Sequence, residues 1–161
     1  MRKQLAVMAL LAGLSTGAMA NCWQQAGERY DIDPLLLVAI GEQETGLRNN
    51  VINYNNDGSY DIGLMQINST HLPRLAKKGI RKSSLLKDSC VSVMVGASIL
   101  SGFIKQLGGT WEAVGAYNAG ASPKRHSKRV KYAVQVWRRY QRLIWNQTMQ
   151  GMQNRPGQDK G

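Results

Sequence analysis

The chain has 161 residues, a formal charge of +11, two cysteines and two histidines. That length holds one domain with a hydrophobic core and little more. Cys22, Cys90, His71 and His126 offer no spacing that reads as a metal site, and nothing in the composition calls for a cofactor.

Arg2 and Lys3 precede an apolar run over 5–14, and Ala18-Met19-Ala20 sets small residues at the −3 and −1 positions of a cut after Ala20. This is the layout of a cleavable signal peptide over 1–20, and it predicts a periplasmic protein. A retained anchor is the rival, although the run is short for a bilayer. Asn21 is a poor residue ahead of a lipidated cysteine. Cleavage removes Arg2 and Lys3 and takes the charge from +11 to +9. Both cysteines remain, and an oxidising compartment predicts a Cys22–Cys90 disulfide, worth roughly 4 kcal/mol in the chain-entropy account.

The remaining pattern is helical, with no sustained alternation. A short helix is expected over 22–30. Asp33 offers an N-cap with Pro34 at the first helical position, opening a helix through 35–40 to Thr45, which Gly46 ends. The turn-rich stretch 48–61, dense in Asn and holding Asp57-Gly58, has room for a small ribbon. Helical pieces follow over 69–77 and 83–87. Asp88 or Ser89 caps a long, nearly uncharged helix to Leu107, whose valines and alanines suit the centre of the domain. Gly108-Gly109 breaks it, and Thr110 caps a helix through Tyr117. A last helix spans 126–146, with Val130, Ala133, Val134, Trp137 and Ile144 at core spacing. The domain is expected over 21–148, with 149–161 as a flexible polar tail.

From 113 to 158 there is no acidic residue, while Lys124, Arg125, Lys128, Arg129, Lys131, Arg138, Arg139 and Arg142 crowd together. Such a run is either a solvated face or an attraction to a polyanion. For an exported chain the polyanion is the wall or a membrane, not nucleic acid.

Glu44 falls in the last turn of an apolar helix, facing the negative end of the helix dipole. Partial burial would push its pKa up as well, as a general acid near neutral pH requires. Glu42 lies about 200° away around the helix, so only one of the two can face inward. Taken alone, a glutamate at a helix end is ordinary. Asp61 stands seventeen residues on, ahead of an apolar run. Paired carboxylates suit glycosidic cleavage, where one protonates the leaving oxygen and the other stabilises positive charge at the sugar. A turn-capping aspartate is the plainer alternative. Gln66 and Asn68 are amides suited either to sugar groups or to local backbone bonds.

Three segments carry a resemblance: Ala39-Ile40-Gly41-Glu42-Gln43-Glu44-Thr45-Gly46, Ser59-Tyr60-Asp61-Ile62-Gly63-Leu64-Met65-Gln66-Ile67-Asn68, and Ala116-Tyr117-Asn118-Ala119-Gly120. In this order they resemble the motifs of the lysozyme-like lytic transglycosylases. The small members that accompany type III or type IV secretion or conjugative pili are most similar, and the match covers about residues 22–145. The resemblance implies a mainly α, lysozyme-like α+β domain with a minimal β-ribbon beside the active-site cleft. It implies Glu44 as acid then base, Met65 and Gln66 lining the cleft, and Ser59 as a substrate contact. Tyr117 would bond near the acid and Asn118 would hold substrate. Thr45 stands where the family has Ser. Asp61 departs from the family and is similar instead to the second aspartate of chicken-type lysozymes, the standard case of paired carboxylates.

The expectation is a monomeric enzyme that cleaves the N-acetylmuramic acid–N-acetylglucosamine bond of peptidoglycan to a 1,6-anhydro product. It would open the wall for a secretion or pilus component, without cofactor, nucleic acid or membrane insertion. The alternatives are a lysozyme-type muramidase using Glu44 and Asp61, and a non-catalytic wall-binding assembly protein.

Overall fold

The computed structural model of the protein describes residues 15–154. The apolar run over 5–14 and the end of the expected tail, 155–161, lie outside them. The first helix, α1 (Ser15–Tyr30), starts earlier than expected, so the Ala20–Asn21 junction falls within it.

Helix α2 (Pro34–Thr45) has the predicted limits for the predicted reasons. Asp33 Oδ1 accepts from the Leu35 N–H at 2.8 Å, satisfying a donor that the first turn leaves open. Gly46 ends the helix at φ 62°, and its N–H donates to the Glu42 carbonyl. A three-stranded antiparallel ribbon follows, with β1 (Ile52–Tyr54), β2 (Tyr60–Ile62) and β3 (Ile67–Asn68) in that order. Asn53 pairs with Asp61 and Asp61 with Asn68, so three polar residues stand side by side across it. Ile62 and Ile67 pair on the buried face.

A 3₁₀ turn (Ser69–His71) leads into α3 (Leu72–Ala76), and α4 (Lys82–Lys87) comes next. Asp88 caps α5 (Ser89–Leu107) by accepting from the N–H groups of Cys90 and Val91. α5 is long and apolar enough to cross a membrane, but here it is the central helix of the domain, packed against α1. The expected Cys22–Cys90 disulfide ties those two helices together. Gly63 is forced by this packing. It sits at φ 72°, and a Cβ there would lie 2.1 Å from the Leu85 carbonyl oxygen of α4.

Helix α6 (Trp111–Ala119) runs two residues past Tyr117 and packs on α5. The last described helix, α7 (His126–Gln153), lies across α2 and α6. It differs from expectation in three ways. Residues 149–153, expected in the tail, are helical, because nothing between Trp145 and Gln153 breaks a helix as a proline would. Val130, Val134 and Trp137, expected in the core, are exposed, Val130 by 44% and Trp137 by 43%. The segment carries two apolar stripes, and the one turned inward runs through Tyr132, Ala133 and Val136. Arg129, expected on a basic face, is only 6% exposed. It donates to Glu112 and to the carbonyls of Gly120 and Ser122, which satisfies a buried guanidinium.

Candidate active site

The end of α2, the ribbon, the end of α6 and the start of α7 enclose a cleft of about 710 Å³. Glu44, Asp61, Ser59, Gln66, Tyr117 and Asn118 all line it, so residues spread over three segments meet in one place. Met65 does not. Its side chain is fully buried, and a Cβ built at Gly96 of α5 would lie 2.8 Å from its terminal methyl. What Met65 presents is its backbone carbonyl, which accepts the Tyr117 hydroxyl at 2.8 Å.

The two acids at the end of α2 have separated as their spacing requires. Glu42 pairs with Arg142 of α7. Gln43 beside it bonds Gln135 and Arg139, so the α2 end is laced to α7. Glu44 turns into the cleft. Burial pushes its carboxyl up from 4.5 to about 7, the Tyr132 hydrogen bond pulls it down, and the Asp61 charge pushes it up. Tyr132 donates its hydroxyl to Glu44 Oε1. The tyrosine on the acid is therefore Tyr132 and not Tyr117, whose hydroxyl is spent on the Met65 carbonyl. Both phenols sit well above their usual range through burial and the nearby carboxylates, so both stay protonated donors.

Tyr132 is the residue that sequence reasoning missed. Its signal was present: Arg129, Tyr132, Val136 and Tyr140 form a stripe at helical spacing, about 120° around the helix from the more obvious one. Thr45 keeps the family's hydroxyl and buries it. Its Oγ1 donates to the Leu64 carbonyl at 2.9 Å and accepts from the Arg48 N–H at 3.1 Å, closing the turn between α2 and the ribbon.

Asp61 accepts from Asn68 Nδ2 at 2.8 Å on one oxygen and from Asn55 Nδ2 at 3.1 Å on the other. Both amides also reach Ser59 Oγ, which donates to Asp57 at 2.6 Å. The Ser59 hydroxyl, joined by the Ser59 N–H at 2.9 Å, holds the Asp57 carboxyl below its usual range. Asp61 is thus a held carboxylate in the cleft rather than a turn cap. Asn68 and Gln66 spend their amide protons within the protein, Gln66 on the Gly63 carbonyl while accepting from Asn53. Gln66 also has φ 50°, rare for a side-chain-bearing residue and common beside functional sites. Asn118, exposed on the cleft wall, makes no side-chain hydrogen bond among the described residues.

This arrangement can deliver a proton at near-neutral pH from one carboxyl while a second carboxylate stands close by. The sequence profile described as Transglycosylase SLT domain matches residues 21–139. The chain is 53% identical over 126 residues to the Invasion protein IagB of Salmonella typhimurium, covering 78% of this chain and 79% of that one. It is 46% identical over 137 residues to Protein IpgF of Shigella flexneri, covering 85% and 90%. Among solved structures, an inactive mutant of the lytic transglycosylase Slt from Pseudomonas aeruginosa superposes with a TM-score of 0.60 at 19% identity. That match spans 86% of this chain but a quarter (25%) of the longer one.

Proposed function

Because the chain belongs to the transglycosylase SLT domain family, we propose that it cleaves the β-1,4 bond between N-acetylmuramic acid and N-acetylglucosamine without consuming water. The observation that carries this is Glu44, half-buried in a polar cleft with its carboxyl near 7 and a phenol fixing its orientation.

In the first step Glu44 gives its proton to the bridging oxygen, and the bond from that oxygen to the muramyl C1 breaks. The positive charge left at the sugar is met by the muramyl 2-acetamido oxygen or by Asp61. In the second step the Glu44 carboxylate takes the proton of the muramyl C6 hydroxyl, and O6 bonds to C1. The 1,6-anhydro ring closes and Glu44 is protonated again for the next turnover.

The held carboxylate of Asp61 favours a second reading, hydrolysis of the lysozyme type, in which water replaces O6. Mass spectrometry of digested sacculi separates the two. Anhydro-muropeptides are expected, each 18 Da lighter than its hydrolysed counterpart because no water is added; reducing ends that take up ¹⁸O from labelled water would replace this reading with hydrolysis.

We place the enzyme in the periplasm, exported by the segment 1–20 and closed by its disulfide. The likeness to a protein named for invasion fits a local role, which we read as opening the wall for a secretion or pilus apparatus.

A further inference from the structure

The cleft is polarised. Its ribbon side carries Asp57 and Asp61, with Glu44 beside them, while the side built from the end of α6 and the start of α7 carries Arg125 and Lys128. Arg125 is close enough for its charge to be felt at Asp57. The other arginines of this basic segment that have partners are occupied away from the cleft: Arg129 on Glu112, Arg139 on Gln43 and Arg142 on Glu42. Lys128 makes no ion pair among the described residues. Arg125 spends one N–H on the Ala119 carbonyl at a long 3.4 Å, which leaves most of its guanidinium donors available.

A neutral glycan gives two such cations little to bind. An ammonium is strongly hydrated, and sugar hydroxyls only replace the water it loses. A carboxylate does better, since charge-assisted bonds are about twice as strong as neutral ones and a guanidinium fork matches the group. A muramyl glycan carries carboxylates on one arm only: those of the peptide joined by an amide to the O3 lactyl ether or, where no peptide is attached, that of the lactate itself. We propose that Arg125 and Lys128 form a subsite for the carboxylates of this lactyl-peptide arm, so that the cleft selects arm-bearing strands over neutral ones. This rests on the reading that the cleft takes a muramyl glycan. It adds which feature of that glycan, other than its backbone, is recognised.

The test is a binding comparison in the full chain carrying Glu44→Gln, so that no strand is consumed. Three soluble probes of matched length are used: peptide-bearing glycan strands, strands stripped by an amidase to the bare lactate, and neutral chito-oligosaccharides. Peptide-bearing strands are expected to bind about ten-fold more tightly than chito-oligosaccharides at low salt, and added salt should shrink that preference. Adding Arg125→Ala and Lys128→Ala together should abolish the preference, Lys128→Arg should keep it, and Lys128→Glu should weaken peptide-bearing strands alone. Stripped strands that bind like intact ones show that the subsite accepts the lactate carboxylate freed by the amidase as well as those of the peptide; stripped strands that fall to the neutral level show that only the peptide carboxylates reach it. Equal affinity for intact and neutral strands, including no measurable binding of either, overturns the subsite, as does a preference that survives the double substitution. Cleavage by the unmutated chain is read separately. If it cuts no strand, the lytic reading fails while the binding comparison still stands.

Discussion

Tyr132 and Glu44, 88 residues apart in the sequence, share one hydrogen bond at the cleft, with the phenol as donor. The bond opposes burial: burial raises the carboxyl and the phenol draws it back, leaving it at about 7. Tyr132→Phe removes the lowering influence alone. The alkaline limb of the kcat/KM profile should then move upward by about one unit, since a hydrogen bond to a charged group and one pKa unit are of similar size. Loss of orientation should also reduce kcat. An unmoved limb would show that the contact has no hold on the acid.

Glu44→Gln should lower the rate by at least about a hundred-fold, the usual scale for a positioned acid, and it should also change stability with a definite sign. A carboxyl raised from 4.5 to about 7 by the fold resists ionisation there. The unmutated protein is therefore unpenalised below pH 4.5, loses stability as the pH climbs through this window, and levels off above 7. Urea unfolding should find the Gln variant more stable by roughly 3 kcal/mol at pH 8 and indistinguishable near pH 4.

Asp61→Asn should separate a working carboxylate from a turn residue. The charge of Asp61 raises Glu44, so its removal should shift the alkaline limb downward. If Asp61 meets the cation, kcat should fall by more than about ten-fold, an electrostatic loss of over 1.4 kcal/mol. Comparable thermal unfolding of the variant would tie these changes to charge. A pH profile and kcat that both stay in place would return Asp61 to the ribbon's architecture.

Thr45→Ala should cost about 1–3 kcal/mol in thermal or urea unfolding, because the Leu64 carbonyl and the Arg48 N–H lose their partner at a residue only 5% exposed. Thr45→Ser keeps the hydroxyl and should recover most of it. Equal losses in the two variants would point to the methyl group and its packing instead.

Local chemistry was readable wherever it acts over a few residues. Asp33, Pro34 and Gly46 fixed the limits of α2 because caps work within one turn, and the Asn-rich stretch before Asp61 held the ribbon. What one segment does to another was harder to see. Periodicity finds an apolar stripe but not which of two stripes faces inward, so α7 was read with Val130, Val134 and Trp137 inward and Tyr132 went unnoticed. Met65 was misplaced for a related reason. Its motif puts it beside the cleft in sequence, but the left-handed turn at Gly63 and the close approach of Gly96 direct its side chain into the core. Glu42 and Glu44 could be told apart as a pair from helix geometry. Their destinations, Arg142 and the cleft, depended on where α7 lay.

Because α7 follows every other described element and brings Tyr132 to the acid and Arg129 to the loop after α6, a growing polypeptide has the rest of the cleft before it can finish it. The acid then remains unoriented, and the loop after α6 unpinned, until α7 has been made and has docked. Such an order of assembly would leave the proposed activity silent while the preceding segments are being made.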